Sequence, residues 1–174
     1  GTFLQNLIKD KNQVVGFEPS KNVADIALEK NIPPINKFFN KNSAKELENF
    51  IKKTDLICAS NVICHIPDLN ELIETVDLLL KDDGTFIFEE PYLGSMFEKV
   101  SYDQIYDEHI YMFSASSVAK IFKKFNFELI DIKPQPTHGG SMRYIIKRDK
   151  QSISHDVKKI IDYEINNNFD NIKS

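Results

Sequence analysis

Two histidines of this sequence stand near other groups that can exchange protons. His109 ends the run Tyr106, Asp107, Glu108, and His65 follows a strongly apolar segment. Imidazole has an ordinary pKa of about 6.5, so it serves as a general acid or base near neutral pH. A hydrogen-bonded loop histidine is the structural alternative and is the commoner state. The ionisable neighbours of His109 make it a candidate base.

Metal binding is a second interpretation of these histidines. Four residues offer ligand atoms, namely His65, Asp107, His109 and His138. Their separations match no recognised spacing for zinc or another transition metal. The two cysteines, Cys58 and Cys64, lie in one apolar segment, which excludes a disulfide framework and a four-cysteine zinc site. We therefore expect no metal ligands.

Short apolar runs alternate with longer segments of helical period, which predicts an α/β fold with helices on the faces of a parallel sheet. Strands are expected at residues 13–18, 37–39, 55–60, 85–89, 127–132 and 142–147. Helices are expected at residues 2–9, 114–125 and 152–169, and after Ser20, Ser43 and Asp68. The strand at 55–60 should be buried on both faces, and the last two strands should pair antiparallel at a sheet edge.

The beginnings of three helices carry capping patterns. Ser20 is a suitable cap, Ser43 has Glu46 three positions on, and Asp68 is followed at the same spacing by Glu71. The long segment 90–113, in contrast, reads as an irregular loop of the kind that binds ligands or forms a lid.

Ligands of open α/β sheets bind beyond the carboxyl ends of the strands. Three strand ends carry polar groups here: Glu18-Pro19-Ser20, Ser60-Asn61 and the run from Glu89 to Tyr92. A carboxylate in the position of Glu18 accepts hydrogen bonds from ribose hydroxyls, or else it only favours the start of the next helix. Position alone does not separate these two roles.

The segment THGG, residues 137–140, combines a histidine with two glycines. Glycine pairs permit positive φ and close approach to a ligand, and they also form ordinary hairpin turns. The turn is favoured unless His138 and Arg143 face the cleft, where they would contact substrate together with Tyr92.

The composition argues against two classes of partner. The net charge is -4 and the isoelectric point is about 5.6, with basic residues spread among acidic ones, so no basic surface for nucleic acid or an anionic membrane is expected. No apolar run approaches the roughly 20 residues of a membrane span, and no signal-peptide pattern is present. We expect a cytoplasmic protein.

Three segments, ASNVICHIPDLN (59–70), FEEPYLGSMFEKVSYDQIYDEHIYMFS (88–114) and THGGSMRY (137–144), resemble the sugar C-methyltransferases. These enzymes make branched deoxysugars and belong to the class I S-adenosylmethionine-dependent methyltransferases. The resemblance covers nearly the whole chain in order. It implies a Rossmann-like sheet, S-adenosylmethionine as cofactor and a nucleotide-linked sugar as substrate.

The resemblance also implies roles for individual residues. Tyr106, Glu108 and His109 match the family's acid–base unit, with His109 as the base, and His65 is implied near the sugar. On the cofactor, Glu18 is implied at the ribose with Pro19 beside it, and Asn61 at the methionine portion. Phe38 or Phe39 would cover the adenine.

The sequence departs from the family pattern at both ends. Gly1 matches only the end of the family's cofactor-binding glycine loop, and the preceding zinc-binding lobe and first, central strand have no counterpart. We therefore expect a piece of a longer enzyme, with an incomplete methyltransferase domain at residues 1–148 and the helical start of a second lobe at 149–174.

The implied reaction adds a methyl group to the carbon beside the ketone of a nucleotide-linked 4-keto-deoxysugar through an enolate. Two alternatives stay open. One is a nicotinamide-dependent sugar oxidoreductase with Glu18 on the ribose, and the other is a binding module without turnover.

Overall fold

The computed structural model describes residues 2–148 and 152–169, so Gly1, expected near the cofactor, lies outside the described residues. The chain divides into two compact units, residues 1–51 and 52–174. Within the described residues, no helix is long and apolar enough to cross a membrane.

The first unit is built on a short parallel strand pair. Its elements are α1 (Thr2–Lys9), β1 (Gly16–Phe17), α2 (Lys21–Glu29), β2 (Pro34–Ile35) and α3 (Lys41–Glu48). The strand predicted at 13–18 is reduced to β1, and the strand predicted at 37–39 is found earlier in the chain, as β2. The pairing joins Gly16 to Pro34 and Phe17 to Ile35. Prolines 33 and 34 lack the N–H that a longer ladder needs.

Of the two helix caps predicted in this unit, the Ser43 cap is wrong and the Ser20 cap has the right position without a side-chain bond. The α3 helix is capped by Asn40, which shares a capping box with Ser43, so Ser43 lies inside the first turn. Ser20 occupies the cap position of α2, but its side chain accepts no backbone N–H, and its hydroxyl donates to the Asn22 amide oxygen. Asn40 is a suitable cap for α3 since its side-chain oxygen accepts from the Ser43 N–H.

The second unit carries a four-stranded sheet. Its helices and strands are β3 (Thr54–Ser60), α4 (Leu69–Leu79), β4 (Leu80–Pro91), α5 (Leu93–Lys99), α6 (Ala115–Lys123), β5 (Phe127–Gln135), β6 (Ser141–Arg148) and α7 (His155–Asn166). The strand order is β3-β4-β6-β5, with β3 and β4 parallel and β6 antiparallel to both neighbours. The expected α/β class and the antiparallel final pair are confirmed.

The β3 strand corrects a predicted burial pattern. Leu56 is 41% exposed and Cys58 is also exposed, so residues 55–60 are not buried on both faces. The reason is position, since β3 is the edge strand of its sheet and pairs only with β4 among the described residues. Its apolar composition resembles that of an interior strand, which misled the prediction.

The segment 90–113 is more ordered than predicted. The β4 strand extends through Pro91, α5 follows at once, and a 3-10 turn lies at Tyr102–Gln104. The segment is closed at its base because Leu93 N–H donates to the Phe113 carbonyl over 2.9 Å. Residues 90–113, called the excursion below, therefore leave the sheet after β4 and are hydrogen-bonded together where they return.

A buried carboxylate connects α7 to the rest of the second unit. Glu164 is fully buried and accepts hydrogen bonds from the backbone N–H groups of Ala115 (2.7 Å) and Ser116 (2.8 Å) and from the Tyr92 hydroxyl (2.9 Å). The first two donors start α6, where a negative charge is favourable. The predicted second lobe from residue 149 stays a prediction, although this helix packs on α6 and β5.

Replacing Glu164 tests this connection. Glu164→Gln presents an amide N–H₂ group to one of the α6 donors, and we expect the free energy of unfolding to fall by about 2 kcal/mol. Urea denaturation measures the change. The exposed helix residue Asp162 supplies the control Asp162→Asn, which should change stability by less than about 0.5 kcal/mol. Equal stability of the two variants would contradict the connecting role.

Candidate active site

The second unit contains a polar cleft of about 400 Å³ beyond the carboxyl ends of β3 and β4. Five predicted site residues line it, namely Asn61, His65, Tyr106, His109 and His138. The remaining lining comes from Pro91, Ser101, Asp103, Gln104 and Gly139. Asn61 and His65 follow the end of β3, and most of the other lining residues belong to the segment 90–113.

Glu90 holds the turn that carries His65. This glutamate is fully buried, and its Oε1 accepts from the backbone N–H groups of Val62 (2.9 Å) and Ile63 (2.7 Å). Such charge-assisted bonds are among the stronger hydrogen bonds of proteins. They fix the short helical turn Ile63–His65 against the end of β4.

The His65 ring is oriented by the excursion. Its Nδ1 lies 2.6 Å from the carbonyl oxygen of Glu108. A carbonyl only accepts, so Nδ1 carries the proton and, in the neutral ring, Nε2 carries the lone pair. His65 can therefore accept a proton through Nε2, and it can donate from that atom only as an imidazolium.

His109 is held in the same way and is joined to Tyr106. Its Nδ1 donates to the Gln104 carbonyl at 3.2 Å, and its Nε2 lies 2.7 Å from the Tyr106 hydroxyl, which donates to it when the ring is neutral. The backbone N–H of Ile110 donates to the Cys64 carbonyl over 2.9 Å, which brings the two histidine rings to a centroid separation of 5.1 Å. A proton can pass between Tyr106 and His109 without rearrangement.

Two acceptors of the cleft lack partners. The Asn61 Oδ1 and Gln104 Oε1 atoms are buried and have no hydrogen-bond partner among the described residues. Asn61 has a φ of 52°, in the left-handed region that asparagine tolerates, and its N–H donates to the Glu89 carbonyl. Unpaired buried acceptors are costly, so both atoms suit donors from a bound ligand.

The segment THGG is both a turn and a wall of the cleft. His138 lines the cleft in a left-handed conformation, with a φ of 50°. Its carbonyl accepts from Gln104 Nε2 at 2.7 Å, and the Gly139 carbonyl accepts from the Lys99 ammonium. Gly139 has a φ of 72°, in the left-handed region where a residue with a side chain is strained, so glycine is favoured there.

Three predicted site residues have side chains outside the cleft lining. Tyr92 is 6% exposed, and burial and then the Glu164 carboxylate raise the pKa of its hydroxyl far above the ordinary value, so it serves as a neutral core donor. Arg143 binds the Glu89 carboxylate at 2.8 Å because these residues face each other across β4 and β6. Glu108 has an exposed side chain and contributes its carbonyl to the site.

The predicted cofactor residues Glu18, Pro19 and Phe38 lie in the first unit. Glu18 Oε1 accepts from the Ser20 N–H at 2.9 Å, the contact expected for an acid at a helix start. Phe38 is 71% exposed, whereas the Phe39 ring packs on Phe17 at 5.1 Å. Of the two phenylalanines, Phe38 therefore has the ring face free to stack on a base.

Glu90, Gln104 and Cys64 were not assigned a site role from sequence, although Glu90 lies in the polar run from Glu89 to Tyr92. A signal existed for Glu90, since strand alternation places it on the same buried face as Phe86 and Phe88. Gln104 acts through its backbone carbonyl, and no sequence pattern marks such a role. Cys64 was treated as part of an apolar run.

Parallel strands with polar carboxyl ends, followed by an antiparallel hairpin, are typical of α/β proteins whose ligands bind at this edge of the sheet. Comparison with known families identifies the class of protein. Residues 1–132 match the family described as methyltransferase domain, and the chain belongs to that family. The expected enzyme class and the expected cofactor, S-adenosylmethionine, agree with this membership.

Individual relatives support the assignment. The chain is 28% identical over 149 residues to the C-methyltransferase NovU of Streptomyces niveus, a match that covers 86% of this chain and 35% of that protein. The chain thus spans about a third of the length of this relative.

Solved structures share the fold. An S-adenosylmethionine-dependent methyltransferase from Anabaena variabilis has a TM-score of 0.63 at 20% identity, covering 85% of this chain and 73% of its own. The N-methyltransferase NodS from Bradyrhizobium japonicum, in complex with S-adenosyl-L-homocysteine, has a TM-score of 0.52 at 10% identity, covering 79% and 67%.

Each unit, taken separately, offers side chains that fit part of this cofactor. The first unit offers a carboxylate at a strand end and an exposed aromatic ring, which suit a ribose and an adenine. The second offers the unpartnered Asn61 amide oxygen, which suits an ammonium donor.

The hydrogen bonds predict the tautomers of both catalytic candidates. At a pH where the rings are neutral, long-range ¹H–¹⁵N spectra should show the proton on Nδ1 of His65 and of His109. Single substitutions to glutamine assign the signals, and the exposed His155 provides an internal comparison. A proton on Nε2 of either ring would contradict the carbonyl contacts.

Proposed function

We propose that the protein is an S-adenosylmethionine-dependent C-methyltransferase that acts on a nucleotide-linked 4-keto-deoxysugar through an enolate. The observation that carries the proposal is the Tyr106–His109 hydrogen bond in a polar cleft shared with His65. The similarity to a C-methyltransferase supports methylation at carbon.

Carbon methylation requires a carbon nucleophile, because a saturated C–H bond does not attack a sulfonium. Removing a proton beside a ketone gives an enolate, and the site must supply a base for that proton and a donor for the developing oxyanion. His109 is the base. In the resting geometry its Nε2 is reached through Tyr106, so the substrate proton passes to the phenolic oxygen while the phenolic proton moves to Nε2.

His65 completes the proton chemistry beside His109, with the two ring centroids 5.1 Å apart. As an imidazolium it donates from Nε2 to the ketone oxygen, with Nδ1–H still held by the Glu108 carbonyl. Glu108 takes part through this backbone carbonyl, while its side chain is exposed. The reversed assignment, with His65 as base and Tyr106 as donor, uses the same contacts.

The bound cofactor supplies an electrophilic methyl group on its sulfonium sulfur. The residues of this chain then contribute positioning, which is the main requirement of an in-line transfer. Asn61 orients the cofactor through its amide oxygen, and His138 contacts the sugar nucleotide, while Arg143 stays paired with Glu89 across β4 and β6.

Deuterium exchange tests the assigned base. With S-adenosylhomocysteine bound, the protein should wash deuterium out of the α-carbon of the keto-sugar, and His109→Gln and Tyr106→Phe should each slow washout at least about 100-fold. Tyr111, whose hydroxyl binds the Pro67 carbonyl outside the cleft lining, supplies the control Tyr111→Phe. Wild-type exchange in His109→Gln, with loss in His65→Gln, would reverse the roles.

Calorimetry tests the cofactor and separates the alternatives. We expect binding of S-adenosylhomocysteine and no comparable heat with NAD, and Asn61→Ala should weaken the former at least about tenfold through loss of its acceptor. Tighter binding of NAD would support an oxidoreductase. Binding of S-adenosylhomocysteine without any isotope exchange would support a module that lacks turnover.

A further inference from the structure

The fold places the sulfur of Cys64, a soft metal ligand, near the two histidines of the cleft. Ligand atoms of Cys64, His65 and His109 lie within 4.8 Å of one another. The grouping arises because the Cys64 carbonyl accepts from the backbone N–H of Ile110, which draws the excursion onto the turn after β3. Only His65 and His109 belong to the set considered from sequence, and Asp107 and His138 are not in this group.

The hydrogen bonds leave the right atoms available for a metal. Both rings place Nδ1 against a backbone carbonyl, which leaves Nε2 as the lone-pair atom. Metal-binding histidines commonly donate their second N–H to such a carbonyl, which fixes the ring. Bond lengths of about 2.0 and 2.3 Å to nitrogen and sulfur set tetrahedral ligand atoms about 3.5 Å apart, so ligand atoms that lie within 4.8 Å of one another must approach by about 1 Å.

The local charge also favours a cation. Glu90 is fully buried, and its Oε2 has no hydrogen-bond partner among the described residues. Within residues 2–148 and 152–169, no lysine or arginine forms a salt bridge with it. A divalent ion bound to a thiolate beside this carboxylate gives a neutral group, which removes the cost of the buried charge.

We propose that Cys64, His65 and His109 form a binding site for a thiophilic divalent cation such as Zn²⁺. The Cys64 S–H bond gives its proton to solvent, a sulfur–metal bond forms, and no oxidation or reduction takes place. The Nε2 atoms of the histidines complete three protein ligands, and the fourth position opens on the cleft. The metal displaces the Tyr106 hydroxyl from His109 and so competes with use of that ring as a base.

Such binding needs a metal of high sulfur affinity, because one of the three ligands is a buried cysteine sulfur. Zinc and cobalt favour thiolate and imidazole ligands, whereas Mg²⁺ prefers oxygen ligands.

Cobalt provides the probe, because a Co²⁺–thiolate bond absorbs in the near ultraviolet and tetrahedral Co²⁺ absorbs in the visible. Titrating the reduced chain with Co²⁺ should give both bands at one ion per chain, and Zn²⁺ should abolish them. The bands should persist in Cys58→Ser, which replaces the other, exposed cysteine, and disappear in Cys64→Ser. Bands retained in Cys64→Ser, or none in the wild type at millimolar Co²⁺, would overturn the proposal.

Two further variants separate ligation from structure. His109→Gln should raise the dissociation constant at least about tenfold, and Glu90→Gln, which keeps all three ligands, should raise it by about 10–100-fold with unchanged band positions. Circular dichroism verifies folding, and if Glu90→Gln does not fold, His109→Gln carries the test. Unchanged affinity in the folded variants would show that the cobalt lies elsewhere.

The cobalt titration needs no substrate, so its outcome does not depend on the proposed function. A consequence that does depend on it is that Zn²⁺ should suppress deuterium exchange and that EDTA should restore it. Cobalt uptake without suppression of exchange would leave the metal site standing and would count against His109 as the base.

Discussion

The Glu90 carboxylate accepts two backbone N–H groups from the turn after β3 while it stands at the buried end of β4. Phe86 and Phe88 precede it on the same face of the strand and pack in the aromatic core with Tyr144 of β6. The position of the carboxylate is therefore fixed by the register of the sheet. Because the carboxylate holds the turn, the location of His65 depends on how β4 pairs with its neighbours. Moving the turn away would leave the Glu90 carboxylate buried without these donors, which is costly.

The second constraint is the closure of the excursion that carries His109. Hydrogen bonds tie it at its base, through Leu93 and Phe113, and near its end, through Ile110 and Cys64. Long connections lose conformational entropy on ordering, and these contacts offset part of that cost while they hold the segment against the sheet. Acid–base residues from two separate parts of the chain thereby share one cleft, as sites on loops supported by a rigid scaffold often do.

The sequence predicted the features that depend on local pattern. The α1 helix has the predicted bounds, Asp68 caps α4, and β5 and β6 pair antiparallel. Features that depend on tertiary position were not predictable: an apolar strand such as β3 does not reveal that it is an edge, and the partner that buries Tyr92 lies on a helix distant in sequence. In the site, residue types identified the two histidines, whereas the carbonyl groups that orient them follow from chain path alone.

That both imidazoles are oriented by main-chain oxygens has an evolutionary consequence. Residues 104 and 108 contribute these oxygens whatever side chains they carry, so substitutions there leave the protonated nitrogen of each ring unaltered as long as the backbone path is kept. The rim of the cleft can then change its side chains while the orientation of the two imidazoles is kept. If the proposed function holds, divergent relatives would differ in which substrate they accept before they differ in reaction chemistry.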